Sequence, residues 1–207
     1  VGIPFCPSRC IYCSFISAAV DQCLPLVEPF VEALCREMEA TGAALKEAGR
    51  AVRSLYMGGG TPTTLSAAQL DRVLASMEEY LPLSRCGEFT VEAGRPDTID
   101  LEKMAVLARH GVDRVSVNPQ SMNDSVLEKM GRPHTAGDIR RAYGQVRNAG
   151  KFAVNMDLIA GLPGDSPAGF AASLGEVMDL GPENITVHTL ALKKGSRLME
   201  EGAPLPP

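Results

Sequence analysis

"VRSLYMGGGTPTTLSAAQLDRVLASMEEYL", residues 52–81, decides the fold. Its first six residues, 52–57, read as a buried strand, which runs directly into the glycine loop "GGGTPT". The helix that follows declares its own start. Ser66, with Gln69 three residues on, is a capping box, in which each partner satisfies a backbone N–H that the first helical turn leaves free. Leu70, Val73, Leu74 and Met77 then recur at helical spacing. Strand, loop and helix in this order are one βα unit.

The unit repeats along the chain. "EFTVEA" (88–93) precedes a helix that carries Leu101, Met104 and Leu107 and ends at Gly111. "DRVSVN" (113–118) precedes a helical region with a second capping signature, Thr135 with Asp138, ending at Gly150. "FAVNMDLIAG" (152–161) precedes a helix with Ser166 as its N-cap and Pro167 at its first position. "NITVHTLAL" (184–192) is the last strand, and "VGIPF" at the start is the first. The first helix shows Val27, Phe30, Val31, Leu34, Cys35 and Met38 on one stripe, which places Cys35 in the core. About six strands alternating with helices predict an α/β fold with parallel strands. Closure into a barrel and an open sheet are both compatible with the spacing.

The 207 residues suffice for one sizeable domain, with no linker or internal repeat to suggest a second. Hydrophobic content of 45% and charged content of 22% are those of an ordinary globular core. A net charge of −5 argues against a nucleic acid or an anionic membrane surface as partner. No apolar run reaches the roughly 20 residues of a membrane span. The opening "VGIPFC" has neither the basic region nor the apolar stretch of a signal peptide. The chain opens inside a strand and stops at "GAPLPP", as a fragment of something longer would. Of six cysteines, three cluster, while Cys23, Cys35 and Cys86 are scattered and read as structural. That spacing suits a reducing cytoplasm with a metal or redox site better than a disulfide framework.

The chemistry gathers where the strands end. The loop after the first strand, "PFCPSRCIYC" (4–13), holds Cys6, Cys10 and Cys13. Three thiolates fall one short of a structural zinc site and one short of the four that usually hold an iron–sulfur cubane. A cubane held by three leaves one iron open to a small molecule. Zinc with Cys23 or a distant His as fourth ligand is the competing reading. Gly58, Gly59 and Gly60 end the second strand and let a ligand approach backbone closely, beyond what a plain βα turn needs. Glu92 ends the third strand, where it either faces a ligand or caps the next helix. Asn118 and Gln120 end the fourth. Asp157 lies within the apolar run "NMDLIAGLPG", where a carboxylate needs a partner. His188, late in the sixth strand, reads first as a core histidine, His110 and His134 as surface or helix-end residues, and Arg132 as a solvated loop charge or a site residue.

"CPSRCIYC" has the CxxxCxxC form of the radical S-adenosylmethionine (SAM) enzymes. "YMGGGTPT", "VEAGRPDTI", "SVNPQSMND…GRPHT" and "NMDLIAGLPGD" follow it in the order found in oxygen-independent coproporphyrinogen III oxidase-like proteins, and the chain most resembles their HemZ-type branch. The resemblance covers nearly the whole chain. It implies a partial (β/α)6 TIM-like barrel, with residues 1–207 as its radical SAM core domain and a short upstream segment and a C-terminal substrate-covering domain missing. It implies a [4Fe–4S] cluster on Cys6, Cys10 and Cys13, with SAM on the open iron. Gly58, Gly59, Gly60 and Thr61 would line the methionine end of SAM, and Glu92, Gln120, Arg132 and Asp157 match positions that contact it. Tyr12 and Phe15 would help cover the cluster. The implied reaction is oxidative decarboxylation of coproporphyrinogen III to protoporphyrinogen IX in heme biosynthesis. A tetrapyrrole substrate, a small electron donor such as flavodoxin or ferredoxin and a cytoplasmic setting come with it. Phe15 stands where the oxidases carry a further cysteine, as it does in the heme-chaperone relatives, so heme delivery is the alternative activity.

Overall fold

Six parallel strands form one sheet in the order in which the chain makes them. The structure, a computed structural model, describes residues 1–15 and 18–202. Strand β1 (Gly2–Ile3) pairs with β4 (Leu55–Gly59), followed across the sheet by β5 (Phe89–Glu92), β6 (Arg114–Gln120), β7 (Ala153–Ala160) and β8 (Asn184–Thr189). Every neighbouring pair is parallel. A doubly wound sheet reverses its strand order partway and so covers both faces with helices. This one never reverses. Crossovers of one hand then keep their helices on one face, and the twisted sheet curls around the other. The fold is a partial (β/α)6 barrel, which settles the choice that the sequence leaves open. Among the described residues β1 and β8 do not pair with each other, so the curl is not closed.

The core lies between the sheet and its helices. Met57, Val91, Val115 and Val154 stand in register across four strands and are wholly buried. Against that face pack Leu70, Val73, Leu74 and Met77 of α2 (Ala67–Tyr80), Met104 and Leu107 of α3 (Leu101–Arg109), and Ile139 and Val146 of the later helix Ala136–Ala149. Each such side chain contributes about 1.5–3 kcal/mol relative to exposure. The capping boxes form as expected. Ser66 accepts from the Gln69 N–H and Thr135 from the Asp138 N–H, with the reciprocal bonds present. Ser166 caps the helix Pro167–Leu180.

Three details differ from the expectation. The stretch "VGIPF" is two short pieces, because Pro4 lacks the N–H a continuous strand needs. Its second piece, β2 (Phe5–Cys6), leaves the sheet and pairs with β3 (Ala18–Ala19). The region after β6 is two helices, α4 (Asp124–Lys129) and α5 (Ala136–Ala149), each with its own cap at Asn123 and Thr135. The first helix, α1 (Val20–Glu47), starts earlier than its stripe and contains Pro25 and Pro29; Val27, Val31, Leu34 and Met38 are buried, with Phe30 and Cys35 packed beside them. No helix among the described residues is long and apolar enough to cross a membrane.

Candidate functional site

Strand alternation sends every second residue away from the helices, and on this sheet most of those residues are polar, Ala153 and Ile159 being exceptions. Tyr56, Thr90, Arg114 and Ala153 form one cross-strand row, and Glu92, Ser116, Asn155 and Asn184 the next. Asn155 organises the second row. Its Nδ2 donates to Ser116 Oγ at 2.9 Å and to Asp157 Oδ1 at 2.5 Å. Its Oδ1 accepts from Asn184 Nδ2 and Thr186 Oγ1 at 2.8 and 2.9 Å. Asp157 therefore does not sit in apolar surroundings, as the run "NMDLIAGLPG" suggests. Val154, Met156 and Leu158 face the helices, while Asn155 and Asp157 face the hollow. The second corrected residue is His188. Its side chain is largely exposed on the hollow side of β8, with Nε2 4.0 Å from Asp157 Oδ2, and is no core histidine.

Two carboxylates meet on this face. Tyr56 OH donates to Glu92 Oε1 at 2.5 Å. Burial pushes the Glu92 carboxyl up from its ordinary value, the Tyr56 bond opposes this, and the charge of Asp157 adds to the rise. Burial and the Glu92 bond raise the Tyr56 phenol in turn. Glu92 does not cap the next helix; Asp100 does, accepting from the Lys103 N–H.

The glycine run serves three ends. A Cβ on Gly58 would lie 2.9 Å from Glu92 Cδ and 2.7 Å from Tyr56 Cε1. Gly59 has φ of +105°, outside the range L side chains accept, and a Cβ there would lie 3.0 Å from the Ile3 backbone. A Cβ on Gly60 would lie 2.6 Å from Phe5 O and 3.0 Å from Cys6 Sγ. The run thus lets β1 and the cysteine loop lie directly on the end of β4. Thr61, buried, donates its Oγ1 to Cys6 Sγ at 3.5 Å.

Two buried arginines meet the same loop from the other side. Arg132, reading either as a solvated charge or as a site residue from sequence, is 4% exposed. Its Nη2 donates to the Gly94 and Asn118 carbonyls, and its Nη1 to Tyr12 OH at 3.4 Å and Cys10 Sγ at 3.6 Å. It makes no ion pair with Asp157. Arg95, which the sequence reading passed over, is 3% exposed and donates to Ser8 Oγ at 2.9 Å, Ser8 O at 3.2 Å and Cys10 Sγ at 3.8 Å. Its Nε reaches Asp97 Oδ1 at 3.3 Å. Behind Asp97 stands His134, with Nδ1 at 3.5 Å; it is buried, contrary to its surface reading, because its own loop folds under the β5 exit. Burial lowers the His134 pKa. Burial alone would raise Asp97, but His134 and Arg95 bring it down to about 2.

Cys10 is buried, and Cys6 and Cys13 are half-buried. Burial pushes the Cys13 thiol up, with Cys10 and Cys6 near enough to add to the rise. Tyr12 is half-buried beside Arg132, whereas Phe15 is 70% exposed. Gln120 holds φ of +70° at a register shift in β6, a strained position for a side chain, and its buried Oε1 has no partner. Arg132 Nε is likewise buried and unpartnered.

Among the described residues no three His, Cys, Asp or Glu side chains converge on one point as a single ion requires. A cubane asks for something different, since it spreads three thiolates over three separate irons. Three thiols in one loop, with Cys10 and Cys6 both near Cys13, suit that demand. The hollow beside them holds the two carboxylates of Glu92 and Asp157, next to the glycine run on which β1 and the cysteine loop rest. Two carboxylates on one face suit a ligand that carries positive charge.

The family model of the radical SAM superfamily matches residues 1–176. The chain is 43% identical over 199 residues to the oxygen-independent coproporphyrinogen-III oxidase-like protein HemZ of Bacillus subtilis, covering 96% of this chain and 40% of that protein. It is 34% identical over 206 residues to the heme chaperone HemW of the same organism, covering 98% and 53%. The solved coproporphyrinogen III oxidase HemN of Escherichia coli, a radical SAM enzyme, superposes with a TM-score of 0.83 at 30% identity, covering 100% of this chain and 47% of that one. The chain thus spans about half the length of these relatives.

Proposed function

Because this chain belongs to the radical SAM superfamily, we propose that it is the core of an oxidoreductase that acts on a porphyrinogen. The superfamily's cofactors are a [4Fe–4S] cluster and SAM. The single observation that supports this use here is spatial. Cys6, Cys10 and Cys13, the glycine run and the carboxylates of Glu92 and Asp157 lie around one mouth of one hollow. In our reading the three thiolates hold the cluster. Gly59, Gly60 and Thr61 line the methionine end of SAM, and Glu92 and Asp157 accept from its cationic groups. Gln120 Oε1 and Arg132 Nε, both buried without partners, supply an acceptor and a donor to the same ligand. Tyr12 shields the cysteine loop beside Arg132. When bound, the two cofactors supply a carbon-centred radical that abstracts hydrogen from an unactivated C–H bond.

The residues around the hollow then have defined tasks. The Asn155 network fixes Asp157 at a set position on β7. Tyr56 holds Glu92 against the glycine run. The substrate we propose is coproporphyrinogen III, whose propionates would each lose a hydrogen atom to the SAM-derived radical, CO₂, and one electron to an acceptor to become vinyl groups, while a small carrier such as flavodoxin or ferredoxin in the cytoplasm would supply the electron that reduces the cluster. HemN carries this activity in its name and HemZ is named as oxidase-like, which supports the reading. Heme delivery is the second reading. HemW at 34% identity favours it, as does an exposed Phe15 where the oxidases have a further cysteine.

An anaerobic assay decides between them. Full-length protein with reconstituted cluster, SAM, dithionite and coproporphyrinogen III should yield protoporphyrin fluorescence after oxidation. If no vinyl product forms and heme passes from the protein to an apo-acceptor, the delivery reading replaces the enzyme.

A further inference from the structure

Arg95 is buried, and its contacts lie on the cysteine loop. A buried guanidinium is costly unless its donors are met. Two of its bonds go to Ser8, whose own Oγ donates to Gly131 O at 2.8 Å, so β5, the cysteine loop and the α4 exit are joined through one side chain. A brace of that kind needs no more. Yet Nη1 also reaches Cys10 Sγ at 3.8 Å, on a thiol that Arg132 approaches at 3.6 Å. Asp97 holds Arg95 from behind at 3.3 Å, and Asp97 faces His134 at 3.5 Å. The cation is thus fixed from three sides, with one face left for sulfur.

We propose that Arg95 is a positioning residue that sets the reduction potential of the cluster through the sulfur of Cys10. This rests on the reading that Cys6, Cys10 and Cys13 hold a [4Fe–4S] cluster. Reduction of such a cluster adds one negative charge. A fixed positive charge and an N–H···S bond both favour the reduced form, and net charge and hydrogen bonds to sulfur are recognised determinants of potential. Arg95 supplies both to one ligand sulfur. Its fork on Ser8 keeps that sulfur at a constant distance.

The test uses full-length protein reconstituted anaerobically, as wild type, Arg95→Gln and Arg95→Lys. Iron and sulfide content and the midpoint potential without SAM are measured on each. Arg95→Gln should still load four irons, but its reduction equilibrium should fall about tenfold, about 59 mV for one electron. Arg95→Lys keeps the charge and should hold the wild-type potential to within a third of that shift. A loaded Arg95→Gln protein with unchanged potential overturns the inference, and so does Arg95→Lys shifting as far as Arg95→Gln. Should Arg95→Gln fail to fold or load, Arg95→Lys decides: a loaded cluster at the wild-type potential supports the assignment, and a second failure makes Arg95 a packing element only. A wild-type protein that takes up no iron overturns the cluster reading itself, which the metal analysis distinguishes from the other outcomes.

Discussion

Met156 and Asp157 are chain neighbours on β7 and live in different media. Met156 is wholly buried against the helices, in a layer of Val, Leu and Met that continues across the sheet. Asp157 faces the hollow, among Asn155, Thr186 and His188. The outer face carries the stability, and the inner face carries polar groups that a ligand can satisfy, save at the end of β7, where Ile159 packs on Val126 and Met130. Substitutions on the two faces should therefore separate folding from binding.

The cysteine loop gives the largest effect. Each of Cys6→Ala, Cys10→Ala and Cys13→Ala should abolish the visible absorbance of the reconstituted cluster, while Cys35→Ala on the α1 stripe should leave it intact. A full four-iron cluster in the Cys10 variant would break the assignment. On the outer face, Met156→Ala should cost about 2–5 kcal/mol, seen as a fall in Tm of roughly 5–20 °C for a domain of this size. A loss under about 1 kcal/mol would mean that this layer is loosely packed.

Acid should act between the two faces, at the β5 exit. His134 has a folded pKa below its ordinary 6.5, so the unfolded chain takes the proton first and stability begins to fall as pH drops through 6.5. Asp97, lowered from 3.8 to about 2, adds stability that is complete above pH 3.8 and lost as pH falls toward 2. Discounted for solvent screening, Asp97 contributes roughly 1–2 kcal/mol. Asp97→Asn should flatten the lower leg of the acid denaturation curve; an unchanged curve would show that the His134–Asp97–Arg95 chain is electrostatically idle.

Asp157→Asn sharpens the comparison with the smallest effect on the fold. A neutral amide still bonds within the Asn155 network, so the apo Tm should shift by an amount equivalent to less than about 1 kcal/mol. SAM affinity in a titration of the reconstituted protein should nevertheless fall about tenfold or more, the loss of a charged hydrogen bond. A large drop in apo Tm with normal SAM binding would move Asp157 from the site to the scaffold.

What the sequence made legible was local. Ser66 with Gln69, Thr135 with Asp138, and Ser166 before Pro167 are contacts within one helical turn, so their spacing suffices. The three cysteines are close in the chain and stay close in space. Asn155 was missed because its partners, Ser116, Asn184 and Thr186, come from other strands. Arg95 was missed because its partners lie 85 and 87 residues away, on the cysteine loop. His134 stands at a helix end, as read, but is buried rather than on the surface, because Asp97 at the β5 exit lies beside it. A period-two count along β7 would have found Asp157's polar surroundings, since Asn155 marks the same face. The bulge at Gln120 had no signal, because it requires a positive φ from a residue that seldom adopts one.

Strand order that repeats chain order also shapes how the molecule assembles. Each pairing from β4 to β8 closes only one crossover, of one helix or, between β6 and β7, two, so no strand waits for a segment from the far end of the chain. Closure entropy grows slowly with loop length, and short closures come early. A nucleus of β5, β6 and β7 can therefore grow one unit at a time toward either margin. The margins are the two-residue β1 and the half-exposed β8, each with a single neighbour among the described residues. Their amides should exchange with solvent soonest and those of Val115, Val154 and Met156 last, a gradient that runs from the flanks of the hollow to its floor.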